Sequence, residues 1–258
     1  MASARNTTKT LILAAALLAH PSASGAADAV RLKQQQPVAR GVAALPRVVA
    51  GADAAGLSRI NTALATDDAW VRRMATSCRQ AGKKSPWDRK IETTMAGPRF
   101  VSFLARDEFM CDSAYPNDRT TAHPFDLATG RAPDWAALLP GLDLRAGTAK
   151  NQGQVWRTYS SDRLADFFRA ALKGDDGPTE ANNGDQGCVG AVDGEPDLKF
   201  ILWLDAKTAG IGIEASGFPH VIRACAAAPP IPIEKLRPLG AKAELVEALL
   251  AARAGAAK

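Results

Sequence analysis

The residues able to do acid–base or nucleophilic work in this chain are few and scattered. Three histidines occur, and His20 belongs to an N-terminal segment read below as a leader. That leaves His123, in Thr121-Ala122-His123-Pro124, and His220, directly after Pro219. An imidazole titrates near neutral pH and suits general acid–base catalysis. Either could be combined with Asp112, Asp126 or Glu214, and with Ser102, Ser113, Ser160, Ser161 or Ser216. So many combinations discriminate nothing, and a lone histidine on a strand is more often a satisfied structural residue. Asp112 and Asp126 could form the carboxylate pair of a glycoside-cleaving site. Asp126, however, precedes Thr129-Gly130 and reads as the residue that closes that turn. No G-x-S-x-G, no H-E-x-x-H and no phosphate-cradling glycine loop occurs in the sequence. Tyr115, in Ser113-Ala114-Tyr115-Pro116, is the recognition candidate, because an aromatic ring on a braced loop suits ligand or protein contact. The alternative is a ring packed beneath its own loop.

The four cysteines are Cys78, Cys111, Cys188 and Cys225. None lies in a C-x-x-C spacing, which argues against a zinc ribbon and against a thioredoxin-type redox pair. An even number in an exported chain argues for disulfides. Three pairings are possible and the sequence does not choose among them. The favoured one is Cys78–Cys111 with Cys188–Cys225, since each bridge then staples one half of the chain to itself. A bridge on a loop of that size contributes about 3–4 kcal/mol in the chain-entropy model. The segment Lys173 to Gly187 carries Asp175, Asp176 and Asp185 but lacks the EF-hand order, so it reads as a surface loop. No metal and no cofactor is implied.

The elements that must hold these residues begin after a leader. Arg5 and Lys9 precede an apolar run, Leu11 to Ala19, followed by Pro21 and small residues to Gly25. This is the order of a cleavable signal peptide over residues 1–25, and the run is too short to span a bilayer. The expected location is the periplasm or the medium, with no stable membrane insertion after cleavage. Losing Arg5 and Lys9 lowers the formal charge from +5 to +3, too mild and too scattered to indicate nucleic acid. The densest basic group, Arg79, Lys83-Lys84 and Arg89-Lys90, reads as a solvated linker.

Residues 26–45, with Gln34-Gln35-Gln36-Pro37, read as a flexible linker or a loosely attached first strand. Residues 46–258 then form a single domain, with possible sub-halves 46–150 and 151–258. Leu57, Ile60, Leu64, Trp70, Val71 and Met74 give a helical period over 53–80, with a break predicted at Thr66-Asp67-Asp68. Strands are predicted at Lys90–Met95, Arg99–Ala105, Glu108–Cys111 and Thr120–Leu127. Asp134 caps a short helix, and Ser160-Ser161-Asp162 cap another over Leu164–Leu172. Lys199–Leu204 and Gly210–Ala215 form a hairpin, Val221–Cys225 a strand, Ile233–Leu239 a helical turn, and Lys242–Arg253 the last helix. Helices and antiparallel strands without a βαβ rhythm make the class α+β, antiparallel sheets with packed helices, disulfide-stapled.

One stretch resembles a known family. Cys111-Asp112-Ser113-Ala114-Tyr115-Pro116, then Phe125-Asp126-Leu127-Ala128-Thr129-Gly130, then Trp135 and Leu138-Leu139-Pro140, is similar to the exported domain of RsiV-type anti-sigma factors. The same domain stands beside the catalytic domain of PdaC-type peptidoglycan deacetylases. The family's Gly-Gly is Asp112-Ser113 here, and its loop histidine is Tyr115; the four cysteines imply a proteobacterial branch. The resemblance implies an α+β envelope domain with no established catalytic residues and carries over no contact residue; Asp112, Tyr115, His123 and Asp126 are the ligand-binding candidates on the reading of the residues themselves. In RsiV-type members the partner is lysozyme, and beside the deacetylases the domain accompanies the enzyme without performing the reaction. The expectation is therefore a cell-envelope binding module for peptidoglycan fragments or a protein such as lysozyme. The alternative is a small periplasmic hydrolase using His123 or His220.

Overall fold

Alternating apolar residues between 88 and 126 and a helical period between 54 and 80 produce a ribbon of strands covered by one long helix. The computed structural model describes residues 29–80, 87–111, 116–151, 153–173, 187–193, 195, 197–218 and 220–256. The expected leader, Lys83-Lys84, Asp112, Tyr115 and the polar loop at 174–186 lie outside the described residues.

Strands β1 (Arg31–Lys33) and β2 (Arg47–Ala50) pair in a small ribbon ahead of α1 (Ala54–Gln80). Strands β3 (Asp88–Ala96), β4 (Phe100–Phe109) and β5 (Asn117–Asp126) form an antiparallel meander, order β3-β4-β5. Successive strand residues face opposite sides. The odd-numbered face of β4 and β5 buries Val101, Phe103, Ala105 and Phe125 against Ile60 and Leu64 of α1. Leu45 and Val48 complete that core, and Val38 and Val42 are buried in a neighbouring cluster. Residues 29–45 are thus bound into the fold, not a linker, because this stretch supplies apolar side chains that α1 alone cannot cover.

The chain continues through α2 (Trp135–Leu138), a 3₁₀ turn (Pro140–Leu142), β6 (Arg145–Asn151), β7 (Gln154–Ser160), α3 (Asp162–Lys173) and α4 (Cys188–Asp193). It ends with β8 (Lys199–Asp205), β9 (Gly210–Ser216), a 3₁₀ segment (His220–Ala226), β10 (Ile231–Pro232), α5 (Ile233–Leu236), a 3₁₀ turn (Arg237–Leu239) and α6 (Ala243–Ala256). Asp134 caps α2 by accepting from Ala137 N at 3.1 Å, and Ser161 caps α3 by accepting from Leu164 N at 3.1 Å. The second sheet has the order β10-β9-β8-β7-β6. Phe200, Leu202, Leu204, Ile211 and Ile213 on its apolar face pack with Trp135, Phe168, Leu245 and Leu249. Gly212 is required on the other face, where a Cβ would fall 1.9 Å from the Trp203 ring.

Three expectations are corrected. The sub-half boundary at 150/151 falls inside the β6–β7 hairpin, which pairs over seven residues; the change of sheet comes after Asp126. The strands expected at Arg99–Ala105 and Glu108–Cys111 are replaced by one, β4, which runs unbroken from Phe100 to Phe109 because Asp107 is paired inside the protein and not solvated. Val221–Cys225 lies in 3₁₀ turns, and Cys225 is drawn back to the start of α4 by its bridge to Cys188. The α+β class stands, as do both favoured disulfides, Cys78–Cys111 and Cys188–Cys225, each with Cα atoms 5.0 Å apart.

The two sheets meet where β8 crosses the even-numbered face of the meander. Leu204 N donates to Ser102 Oγ at 3.3 Å and Ala206 N to Thr94 O at 2.9 Å. The β6–β7 hairpin extends beyond this junction, joined to β8 through a single registered pair, Tyr159 with Phe200. It reaches back to α1 and β5.

Candidate functional site

The site begins with one rung of the meander. Arg89 on β3 is opposite Asp107 on β4, which is opposite Arg119 on β5. The three therefore lie side by side on the face turned to α1. Arg119 Nε donates to Asp107 Oδ2 at 2.8 Å, and Trp87 Nε1 donates to Asp107 Oδ1 at 2.8 Å. The side chains of Arg89 and Asp107 are both 0% exposed.

Helix α1 adds two carboxylates to this rung. Asp68 Oδ1 accepts from Arg89 Nη1 at 2.9 Å and from Leu45 N at 3.0 Å; its Oδ2 accepts from Arg47 Nη2 at 2.8 Å. Asp67 accepts from Arg89 Nη2 and lies 3.3 Å from Arg119 Nη1. The predicted helix break at Thr66-Asp67-Asp68 is therefore absent, and α1 runs through it. An acidic pair inside a helix is costly only while unpaired, and here guanidinium groups meet both carboxylates. Arg89, expected on a solvated basic stretch, is instead the buried hub of the network. Three Asp and three Arg side chains balance formally, and the Arg119 guanidinium also sits 4.5 Å over the Trp70 ring.

Beyond this floor lies a cleft of about 390 Å³, within the size range of small-ligand sites. Thr66, Asp67, Trp70 and Arg73 of α1 form one wall, and Thr121 and His123 of β5 form the base. Gln154, Trp156, Arg157 and Tyr159 of the hairpin form the opposite wall, with Trp135 beside them. Gln154 joins the walls: its amide donates to Asp67 Oδ1 at 2.7 Å and its carbonyl accepts from Arg119 Nη1.

The electrostatics fix the protonation of the base. Burial alone would raise the Asp67 pKa, but His123, Arg119, Arg89 and the Gln154 hydrogen bond more than offset it and hold it below the usual 3.8. Asp67 is thus ionised at neutral pH. Burial lowers the His123 pKa below the usual 6.5, and Arg89 and Arg119 act in the same sense; the Asp67 carboxylate opposes them without prevailing. His123 is therefore neutral at neutral pH. Burial raises the Tyr159 pKa above 10.0, so it stays a neutral phenol.

Three side chains at the cleft have a buried polar atom with no hydrogen-bond partner among the described residues: Thr121 Oγ1, His123 Nε2 and Trp156 Nε1. The nearest charged oxygen to His123 Nε2 is Asp67 Oδ2 at 3.7 Å, beyond hydrogen-bond reach. Buried polar groups are usually paired, so three unpaired ones beside one cleft mark where polar atoms from elsewhere would be bonded once a small shift of the walls uncovers them.

Of the sequence-derived candidates among the described residues, only His123 lines this cleft. Asp126 is the last residue of β5 and is used locally: its carboxylate accepts from Ala128 N at 2.9 Å and from Arg99 Nη2 at 2.8 Å. Gly130 closes that turn with φ +64, in a position where a Cβ would strike Gly56 of α1. Glu214, offered as a histidine's partner, is bound on the other face of the fold by Arg223. His220 opens a 3₁₀ segment and not a strand. Asp112 and Tyr115 lie outside the described residues.

Sequence reasoning missed Asp67, Gln154 and Trp156. A signal for Asp67 and Asp68 was present: they continue the Ile60, Leu64, Val71 spacing, so carboxylates occupy helix positions that face the core. Gln154 and Trp156 had none, because β6 (RAGTAKN) has no apolar alternation to announce the hairpin. No family model matches the chain, and no curated protein matches its sequence.

Proposed function

We propose that this chain is an exported cell-envelope binding module, in the periplasm or the medium, whose ligand site is the cleft at His123. Its ligand is a peptidoglycan fragment. The carrying observation is the set of unpaired buried groups, Thr121 Oγ1, His123 Nε2 and Trp156 Nε1, beside aromatic walls in one cleft. Aromatic faces with a few fixed polar groups suit a ring-shaped, hydroxyl- and amide-bearing ligand. The two disulfides support an oxidising compartment, and no helix among the described residues is long and apolar enough to cross a membrane. This reading moves recognition from the 112–115 loop to the cleft. The test is calorimetric titration with purified muropeptides, with lysozyme as a second titrant. Saturable heat with muropeptides, lost on Trp156→Ala, is expected. No heat at millimolar muropeptide overturns the reading, and heat with lysozyme alone transfers it to a protein partner.

A hydrolase built on His123 is the second reading, favoured by a neutral imidazole beside an ionised carboxylate inside a cleft. Against it stand the 3.7 Å gap to Asp67 and the lack of a hydroxyl bonded to His123 among the described residues. Full retention of any measured hydrolysis by both His123→Ala and His220→Ala would rule it out.

A further inference from the structure

From the donor and charge pattern of the cleft we infer that it selects ligands carrying a carboxylate over their neutral counterparts; this rests on the cleft being the ligand site. Consider first what the unpaired groups can accept or give. The Trp156 indole N–H is a donor only. The Thr121 hydroxyl, on a residue only 4% exposed, donates or accepts. The neutral His123 ring can carry its proton on Nε2 and donate as well, so one group rich in acceptor atoms can serve all three.

The charges give the same answer. Arg73 and Arg157 line the cleft and are exposed. Among the described lining residues the one acidic side chain, Asp67, already accepts from Arg89 and from Gln154 and is flanked by Arg119. Its charge is compensated from behind, so the positive rim is not cancelled by the floor. A carboxylate entering such a site gains charge-assisted hydrogen bonds that an amide or hydroxyl does not. The Trp156 ring in this wall offers an apolar face for the body that carries the acid.

The experiment follows the Trp156 indole N–H resonance by NMR, assigned with Trp156→Phe, during titration with four probes. N-acetylmuramic acid is compared with N-acetylglucosamine, the related ring without the acid, and benzoate with benzamide, which carries no charge. The acids are expected to shift the indole signal and to bind at least about tenfold tighter than their neutral partners. Arg73→Gln with Arg157→Gln removes the preference, and Thr121→Val weakens both acids; each variant's unchanged dispersion elsewhere reports a folded protein. Equal binding of acid and neutral partner overturns the inference while leaving the peptidoglycan reading intact. A response to benzoate with none to the sugar acid upholds the inference and removes the peptidoglycan reading. Silence of the indole signal with all four probes overturns both.

Discussion

The two halves of this protein bury different things. Under α1 and the meander, apolar clusters around Ile60, Phe103 and Trp87 flank a buried ionic group of Asp67, Asp68, Asp107, Arg89 and Arg119, with Arg47 at its edge. Under the apolar face of the five-stranded sheet the interior is Phe168, Phe200, Leu202, Leu245 and their neighbours, and the buried polar side chain there, Ser161, is consumed in capping α3. Hydrophobic burial stabilises at roughly 25 cal/mol per Å² and asks little of geometry. A buried ionic network returns little net stability but fixes positions, since each charge must keep its partner. The ionic half is the one whose floor supports the cleft. Apolar burial holds both halves together, and in one of them the ionic network also holds side chains at defined points.

Paired substitutions break this comparison most directly. Phe200→Ala leaves a cavity in the apolar core and is expected to cost about 3–5 kcal/mol by denaturant unfolding. Arg89→Ala is expected to cost a similar ~3–5 kcal/mol, because it strands Asp67, Asp68 and Asp107 without their hub. The two losses separate with pH. Arg89 is one of the cations that hold the Asp67 pKa down, so without it Asp67 protonates more readily and that deficit shrinks as pH falls. The Phe200 deficit stays constant. Two parallel pH profiles would refute the assignment of an ionic core.

The contrast also explains what was legible in the sequence. The apolar half announced itself: Lys199–Leu204, Gly210–Ala215 and the caps at Asp134 and Ser161 were readable because apolar runs and capping residues act locally. Both disulfides were favoured because each staples a contiguous stretch. The ionic half misled, because its logic is non-local. Asp67-Asp68 reads as a helix break and Arg89 as a solvated charge until the meander brings Asp107 and Arg119 to the same rung. The site was half visible: His123 was named, but the partners that make it a cleft residue come from α1 and from a hairpin without apolar alternation.

The disulfides sharpen the comparison next. Cys78–Cys111 spans 33 residues and Cys188–Cys225 spans 37, so removing either pair by Cys→Ala should cost about the same, ~3–4 kcal/mol. Their functional effects should differ. Cys78 sits on α1, the helix that carries Asp67 and Arg73, so loss of its bridge is expected to weaken muropeptide binding. Loss of Cys188–Cys225 leaves the cleft walls in place and binding nearly unchanged. Equal effects on binding would mean that the bridges act on global stability alone.

Gln154 is a smaller lever at the junction of the halves. Gln154→Ala removes two hydrogen bonds to charged groups and is expected to cost about 1–3 kcal/mol. The hairpin is otherwise joined to the sheet at a single registered pair, so the loss should appear locally. Amide exchange is expected to quicken in β6 and β7 while β8 and β9 stay protected. Uniform quickening would place Gln154 in the global core instead.

The smallest effect is the most specific to the ionic half. His123 has a folded-state pKa below 6.5, so between that lowered value and 6.5 the unfolded chain binds the extra proton and the native protein does not. Stability contributed by the neutral imidazole is therefore complete above pH 6.5 and is lost as pH falls through this window. The slope from one such group cannot exceed about 1.4 kcal/mol per pH unit. Asp67 behaves likewise at lower pH: its depressed pKa gives stability that is present above 3.8 and is lost as pH falls through its folded value. His123→Gln should flatten the stability profile just below pH 6.5 and, because His123 is one of the groups that hold the Asp67 pKa down, should also shrink the acid limb below 3.8. If the variant keeps the parent slope below pH 6.5, His123 is charged in the folded protein, and the cleft floor then has a cation where a neutral ring is placed here.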